Sequence, residues 1–456
     1  MVRKAVNTDH RIIDCSLKSI LSVTLPIMIS MASIFLMLLI DRAMLATYSM
    51  DSMNAAAMSG NFVCIFSFMY TGIANAAEIF AGQYNGSKQY EKLAAPTWQM
   101  IYMALVTYAI SFPIAYFSDH INTLPHYYLK EGVAYQQTLM YFAFIPPVRV
   151  ALAAFFVGQG KTKIITFAIA AGVVLNIALD YLFIFGMKNI IPPMGCRGAA
   201  IATIIAEFVQ IAILAAVFFN RRNRKIYKTF ENRQFNSKLF WDCVKIGVPM
   251  SLGNCISMIA WHVVQTIVSH TSKDAATIYN IGSNVYTFFL FVGEGANKGI
   301  ATISANMIGR GDLESIEKTR EIFIAISVVF GGIIAVPLIL CSEWIFKALS
   351  LFPDDISSLY EDIRATLYLV SIDVALETLL LSHWGILIAG GDSKYAATMS
   401  QVCLWIFVVF PTIVLHYLNA LTSMPLLYAL MALWLIATQF FLYRRYKSLK
   451  WYNRLV

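Results

Sequence analysis

Charge is scarce in this chain: only 13% of its 456 residues are Asp, Glu, Lys or Arg, against about 25% in a soluble domain. Histidine is scarcer, with 7 residues. The three that fall within apolar stretches, His262, His383 and His416, share no spacing that would build a metal centre or a nucleophile–base pair. The 7 cysteines stand singly, with no CxxC or Cys/His ligand pattern, which excludes a disulfide framework and a structural zinc site. Polar stretches long enough for a separate soluble domain are missing as well, so a soluble enzyme has nowhere to reside. The sequence predicts a protein that is not an enzyme and needs no cofactor.

What is present is hydrophobicity: 59% apolar residues and a mean hydropathy of +0.66. Twelve apolar stretches fall near 17–46, 54–80, 94–117, 134–158, 163–188, 195–220, 239–269, 275–308, 320–346, 361–389, 394–418 and 421–443. Each spans roughly the 20 residues that cross a bilayer of about 30 Å. In hydrocarbon the backbone must satisfy its own hydrogen bonds, so such stretches are helices. They lack the period-two alternation of an outer-membrane barrel. With the N-terminus inside, 24 of the 34 Lys and Arg residues fall on the inner side and 5 on the outer. That asymmetry predicts an inner-membrane protein with both termini cytoplasmic. The net charge of +8 is then topology, and no nucleic-acid partner is implied. The basic tail Tyr443–Lys447 is expected against anionic headgroups. The first stretch holds Pro26 and Asp41 and lacks a cleavage site after a short apolar core, so it reads as a retained helix.

The chain is also a tandem repeat. A shift of 223 positions sets Pro26 on Pro249, Asp51 on Asp274, Asn61 on Asn284, Gly72 on Gly295, Gln83 on Asn306 and Gly86 on Gly309. A shift of 231 sets Gly160-Lys161-Thr162-Lys163 on Gly391-Asp392-Ser393-Lys394. Each half has an even number of helices, so the halves are parallel repeats about an axis along the membrane normal. Transporters use this design, with substrate held between lobes that rock. The expected division is an N-lobe at 1–220, a basic cytoplasmic linker at 221–238 and a C-lobe at 239–456. A monomer in the bilayer is expected.

A charge inside the bilayer costs at least about 2.5–3.5 kcal/mol, so each one is a functional candidate. Asp41 lies in the first predicted helix, Asn176 and Asp180 on one face of the fifth, and Thr203 early in the sixth. Asp41, Asp180 and Thr203 sit roughly 8–12 Å below the outer helix ends, with Asn176 about 6 Å deeper. Two carboxylates there cannot both stay ionised in a dry cavity, and the same oxygens suit Na⁺. A structural network tying three helices together is the plainer alternative. Arg42, next in sequence, points elsewhere and is expected to snorkel outward. In the second half Asp373 and Glu377 form an i,i+4 like-charge pair, and Glu294 and Lys298 an opposite-charge pair. Glu78, Arg149 and Glu207 are expected to line cavities or to pair. Trp261, Trp384, Tyr70 and Phe289 offer faces to an organic cation.

The stretch Asn176-Ile177-Ala178-Leu179-Asp180-Tyr181-Leu182-Phe183-Ile184-Phe185-Gly186 resembles the fifth-helix signature of the multidrug and toxic compound extrusion (MATE) family. Gly195-Cys196-Arg197-Gly198-Ala199-Ala200-Ile201-Ala202-Thr203 is similar to the opening of its sixth helix. Ala81-Gly82-Gln83 through Gly86 and Ala389-Gly390-Gly391-Asp392-Ser393-Lys394 resemble its glycine loops, and the likeness runs in order through the whole chain. The resemblance implies an all-α membrane protein, twelve helices in two six-helix lobes arranged as a V. It implies export of small organic compounds by alternating access, driven by H⁺ or Na⁺. It also implies a cation site at Asp41, Asn176, Asp180 and Thr203, with a hinge at Pro26. A second-lobe cation or substrate site at Asp373, Glu377, Glu294 and Trp261 is a further candidate. There the pattern is incomplete, because Asn254–Met258 holds no acid. Arg42 also replaces the small polar residue that usually follows the first-helix aspartate.

A major-facilitator transporter would carry a Gly-x-x-x-Asp-Arg-x-Gly-Arg-Arg loop, whereas Gly82–Lys88 reads Gly-Gln-Tyr-Asn-Gly-Ser-Lys. A lipid-linked-precursor flippase of the same superfamily is the nearer rival, and it would need several cations in its central cavity. A membrane-embedded enzyme is the rival from another class.

Overall fold

A computed structural model describes residues 14–121, 129–188, 190–340, 359–418 and 424–452. Residues 341–346 of the ninth predicted stretch, the outer Lys347 and the start of the twelfth lie outside them. The described chain is helical apart from turns and one isolated bridge, Met187 to Ile191. In chain order the first lobe contains α1 (Leu17–Tyr48), α2 (Met50–Ala74, resumed as Ala76–Gly86), α3 (Ala95–Tyr116), α4 (Leu129–Tyr141 and Ile145–Gly158), α5 (Lys163–Phe185) and α6 (Gly195–Phe218). The second contains α7 (Ser237–Thr271), α8 (Lys273–Arg310), α9 (Leu313–Leu340), α10 (Tyr360–Ala389), α11 (Ser393–Leu404 to Phe410–Tyr417) and α12 (Met424–Lys447). The all-α, two-lobe architecture expected from the sequence is the one observed. Among the described residues, 9 helices, or 10 with bent α4, are long and apolar enough to cross a membrane.

Helix ends and breaks follow local chemistry. Ser16, Ser49, Ser272 and Asn236 each cap a helix with a side-chain oxygen. The stretch expected as one helix at 134–158 is two pieces bent by 43°. Pro146 and Pro147 open the second piece and supply no N–H to the preceding turn. In α11 one π-turn, Trp405–Val409, interrupts the regular spiral.

Burial shows which way each helix turns. On α5, Phe167, Val174 and Tyr181 recur every seventh residue and are 62%, 70% and 66% exposed, a lipid-facing stripe. Asn176 and Asp180, on the opposite face, are 0% exposed. The linker is more ordered than its charge suggests. It forms a short helix, Arg221–Tyr227, and a single turn, Glu231–Arg233. It is strapped to α3 by Trp98 Nε1 donating to Thr229 O (2.7 Å) and Gln99 Nε2 to Gln234 O (3.0 Å). The tail is likewise held by protein rather than by lipid alone: Arg445 pairs with Asp392 at 2.6 Å, and buried Trp451 stacks on Tyr446.

Candidate functional site

The site assembles where α1, α5 and α6 pack together. Asp41 on α1 and Asp180 on α5 bring their carboxyl groups face to face, with Asn176 one turn away on α5. Among the described residues, both oxygens of Asp180, both polar atoms of Asn176 and one oxygen of Asp41 are buried without a hydrogen-bond partner. Native interiors rarely leave buried polar atoms unpartnered, so these five, gathered where Asp41, Asn176 and Asp180 face one another, are a candidate binding place. Thr203 stands on α6, and its hydroxyl donates to Ala199 O at 3.0 Å in its own helix, leaving lone pairs to offer. Toward the α1–α2 and α5–α6 turns the helices close over apolar residues: Leu45, Ala55, Ala56, Ile184, Cys196 and Ala199.

Two neighbours escaped the sequence reading. Tyr135 of α4 lies beside Asp41, Cys64 and Cys196. Glu131 accepts from the Cys196 N–H at 3.2 Å, a carboxylate at the start of α6 where the helix dipole favours it. Gly195, at φ +53°, passes so close that a Cβ would lie 2.9 Å from Glu131 Oε2. Both acidic and phenolic groups sit in the first turns of α4, a stretch whose predicted start at residue 134 fell too late to include Glu131.

Pro26 sits within α1, where its ring removes the donor that Ser22 O would otherwise receive. Thr162 Oγ1 donates to Ser22 O at 3.4 Å, from the α4–α5 turn. Thr166 Oγ1 of α5 donates to Pro26 O at 2.7 Å, and Ser30 Oγ also reaches it at 2.7 Å. The expected bend point is therefore bridged to the helix that carries Asp180.

In the second lobe Asp373 is 0% exposed and neither carboxylate oxygen has a partner among the described residues. One turn along α10, Glu377 accepts from Tyr286 of α8 at 3.3 Å. Glu294 and Lys298 do not form the expected pair. Glu294 accepts from Asn297 at 3.3 Å, while Lys298 reaches across to Asn75 of the first lobe at 3.4 Å. Trp261 is half-buried and packs edge-on against Trp434, centroids 5.7 Å apart. Arg149 and Glu207 form a tight pair at 2.6 Å between α4 and α6. Among the described residues no three His, Cys, Asp or Glu side chains gather as a metal site.

A duplicated bundle that buries unpartnered acids between its helices has the architecture of a secondary membrane transporter. The MatE family model matches residues 26–182 and 249–414, one block in each half. The chain belongs to the multidrug and toxic compound extrusion (MATE) family of membrane transporters. It is 22% identical over 364 residues to the "probable multidrug resistance protein YoeA" of Bacillus subtilis (strain 168), covering 77% of this chain and 75% of that one. It is 24% identical over 407 residues to the "uncharacterized transporter YisQ" of the same organism, covering 85% of each. The solved outward-facing structure of a multidrug resistance MATE family transporter of the MOP superfamily shares the fold. Its TM-score is 0.86 at 15% identity, over 96% of this chain and 97% of that one.

Proposed function

We propose that this transporter exports small organic compounds, cationic or amphipathic, across the inner membrane by proton antiport, with its termini in the cytoplasm and Asp41/Asp180 as the coupling site. The observation that carries the reading is the meeting of two carboxyl groups from different helices. Ionised carboxylates are acceptors only, so two of them repel; a single shared proton converts the contact into an O–H···O bond. Proton binding then draws α1 toward α5, and proton loss lets it part, with Pro26 and its threonine bridges as the pivot. Each net charge moved inward gains about 2.3 kcal/mol per 100 mV; when one proton exchanges for one monovalent cation the electrical terms cancel and the pH gradient alone drives export. The multidrug-resistance names of the relatives support the efflux direction and the breadth of substrate.

A Na⁺ reading rests on the Asn176 amide oxygen with the two carboxylates, and on the Thr203 hydroxyl of adjoining α6 as a further oxygen, an all-oxygen set for a hard cation. The flippase reading has less support, since Arg149 is held by Glu207 and Lys298 turns to Asn75, leaving few bases for a pyrophosphate. The test is efflux of a fluorescent organic cation from proteoliposomes under separate pH and Na⁺ gradients, for the wild type and Asp41→Asn. Transport driven by the pH gradient and lost in Asp41→Asn supports the proposal. Transport driven only by Na⁺ replaces the ion, and intact pH-driven transport in Asp41→Asn removes the site.

A further inference from the structure

The two shifts that reveal the repeat also predict which atoms should meet across it. Gln83 and Asn306 are equivalent under 223; Gly158 and Ala389 are equivalent under 231. Gln83 Nε2 donates to Ala389 O at 2.9 Å, from the first lobe to the second. Asn306 Nδ2 donates to Gly158 O at 2.9 Å, from the second lobe to the first. Both amide side chains are 0% exposed. Gly158 and Ala389 are the last residues of α4 and α10, where a helix has no donor of its own for its carbonyls. Each lobe thus completes a helix end of the other.

The backbones repeat the exchange. A Cβ on Gly86 would fall 1.8 Å from Asn306 O, and one on Gly309, its equivalent, 2.2 Å from Gln83 O. One on Gly82 would meet Ala305 Cβ at 2.8 Å. Gly82 and Gly86, like Ala305 and Gly309, are four residues apart, the small-x-x-x-small spacing that lets membrane helices touch backbone to backbone. Further along, a Cβ on Gly72 would meet Ser251 Oγ at 2.5 Å and one on Gly295 would meet Met28 Cα at 2.5 Å, again equivalent pairs. Asn85 Nδ2 adds a bond to Asn306 Oδ1 at 2.5 Å.

We infer that Gln83 and Asn306, seated by Gly86 and Gly309, are a reciprocal clasp that closes the transporter on the face where α1 begins and α12 ends, and must part each time the lobes rock the other way. The clasp rests on the alternating-access reading of the protein but concerns closure, which is measurable without substrate or coupling ion. A bond that serves only its own lobe loosens only that lobe when removed. A reciprocal bond loosens both.

The experiment is hydrogen exchange on the full-length protein in lipid nanodiscs, following the stretches 76–86 and 300–310. Gln83→Ala alone and Asn306→Ala alone are each expected to speed exchange in both stretches, by about tenfold for a bond of ordinary strength. Exchange in α5 should stay as in the wild type, which reports that the lobes remain folded. Gly86→Leu, which removes no hydrogen bond, should speed exchange in 300–310 by keeping the faces apart. Acceleration confined to the mutated lobe, or none in either variant, overturns the clasp. A failed pH-driven efflux assay alongside bilateral acceleration overturns the coupling reading and leaves the clasp standing.

Discussion

The two lobes descend from one pattern, yet they bury their acids differently. In the first, Asp41 and Asp180 belong to two different helices, α1 and α5. In the second, Asp373 and Glu377 share α10, one turn from each other, with Tyr286 of α8 as a fixed donor to Glu377. The position equivalent to Asp41 is Val264, fully buried, and the one equivalent to Asp180 is Pro411. Conversely, Asp373 and Glu377 match Phe142 and Pro146. Duplication kept the seam between the lobes and let the sites drift. A charge change in the first lobe acts between carboxyls on α1 and α5, while in the second it acts within α10 and on the Tyr286 hydrogen bond to α8.

The sharpest way to break this contrast is to neutralise each acid in turn. Asp41→Asn and Asp180→Asn should each abolish pH-driven efflux in proteoliposomes. Asp373→Asn and Glu377→Gln should leave its dependence on the gradient intact, with changes in rate or substrate affinity only. Complete loss of gradient dependence in Glu377→Gln would place the coupling in the second lobe instead. Next in size, Val264→Asp puts a lone carboxyl where the repeat has lost its partner. It should destabilise the folded protein by about 2.5–3.5 kcal/mol, read as a lowered thermal midpoint in detergent. An unchanged midpoint would mean the second lobe still offers that carboxyl a partner.

Smaller effects should come from the prolines. Both lobes cover the backbone near their proline with a hydroxyl from the start of their own fifth helix: Thr162 to Ser22 O near Pro26, and Ser393 to Ile246 O (2.7 Å) near Pro249. Only the first adds Thr166 to Pro26 O. Thr166→Val should therefore slow efflux by about fivefold, the worth of one hydrogen bond of about 1 kcal/mol. Ser393→Ala should cost stability with little change in rate. Equal kinetic effects from the two would erase the distinction between a working hinge and a structural one.

Much of this was legible in the residues. Hydrophobic lengths and basic loops prescribe the helices and their order, because a bilayer admits few alternatives. The constant shift exposes the repeat, because special residues such as Pro26 and Gly86 are retained at fixed intervals. Asp41, Asn176 and Asp180 stood out because charge is costly in hydrocarbon. What stayed hidden depends on geometry across helices. Glu131 and Tyr135 join the site only through the packing of α4 against α6 and α2. The Glu294/Lys298 spacing suited an ion pair, but the opposing lobe offers Lys298 Asn75 instead. The edge-on contact of Trp261 with Trp434 likewise depends on how α7 meets α12.

Asn236 has a consequence for how the halves are tethered. Its backbone N–H donates to Gln99 Oε1 of α3 at 3.0 Å, while its side chain caps the first turn of α7, accepting from Leu239 N at 3.1 Å. One residue thus ends the strap on the first lobe and begins the second. The connection is a riveted joint, held to each side by one hydrogen bond of a single residue. Lengthening it by inserting glycines after Asn236 would turn a rivet into a leash, and the timing of the two lobes would come apart before either lobe did.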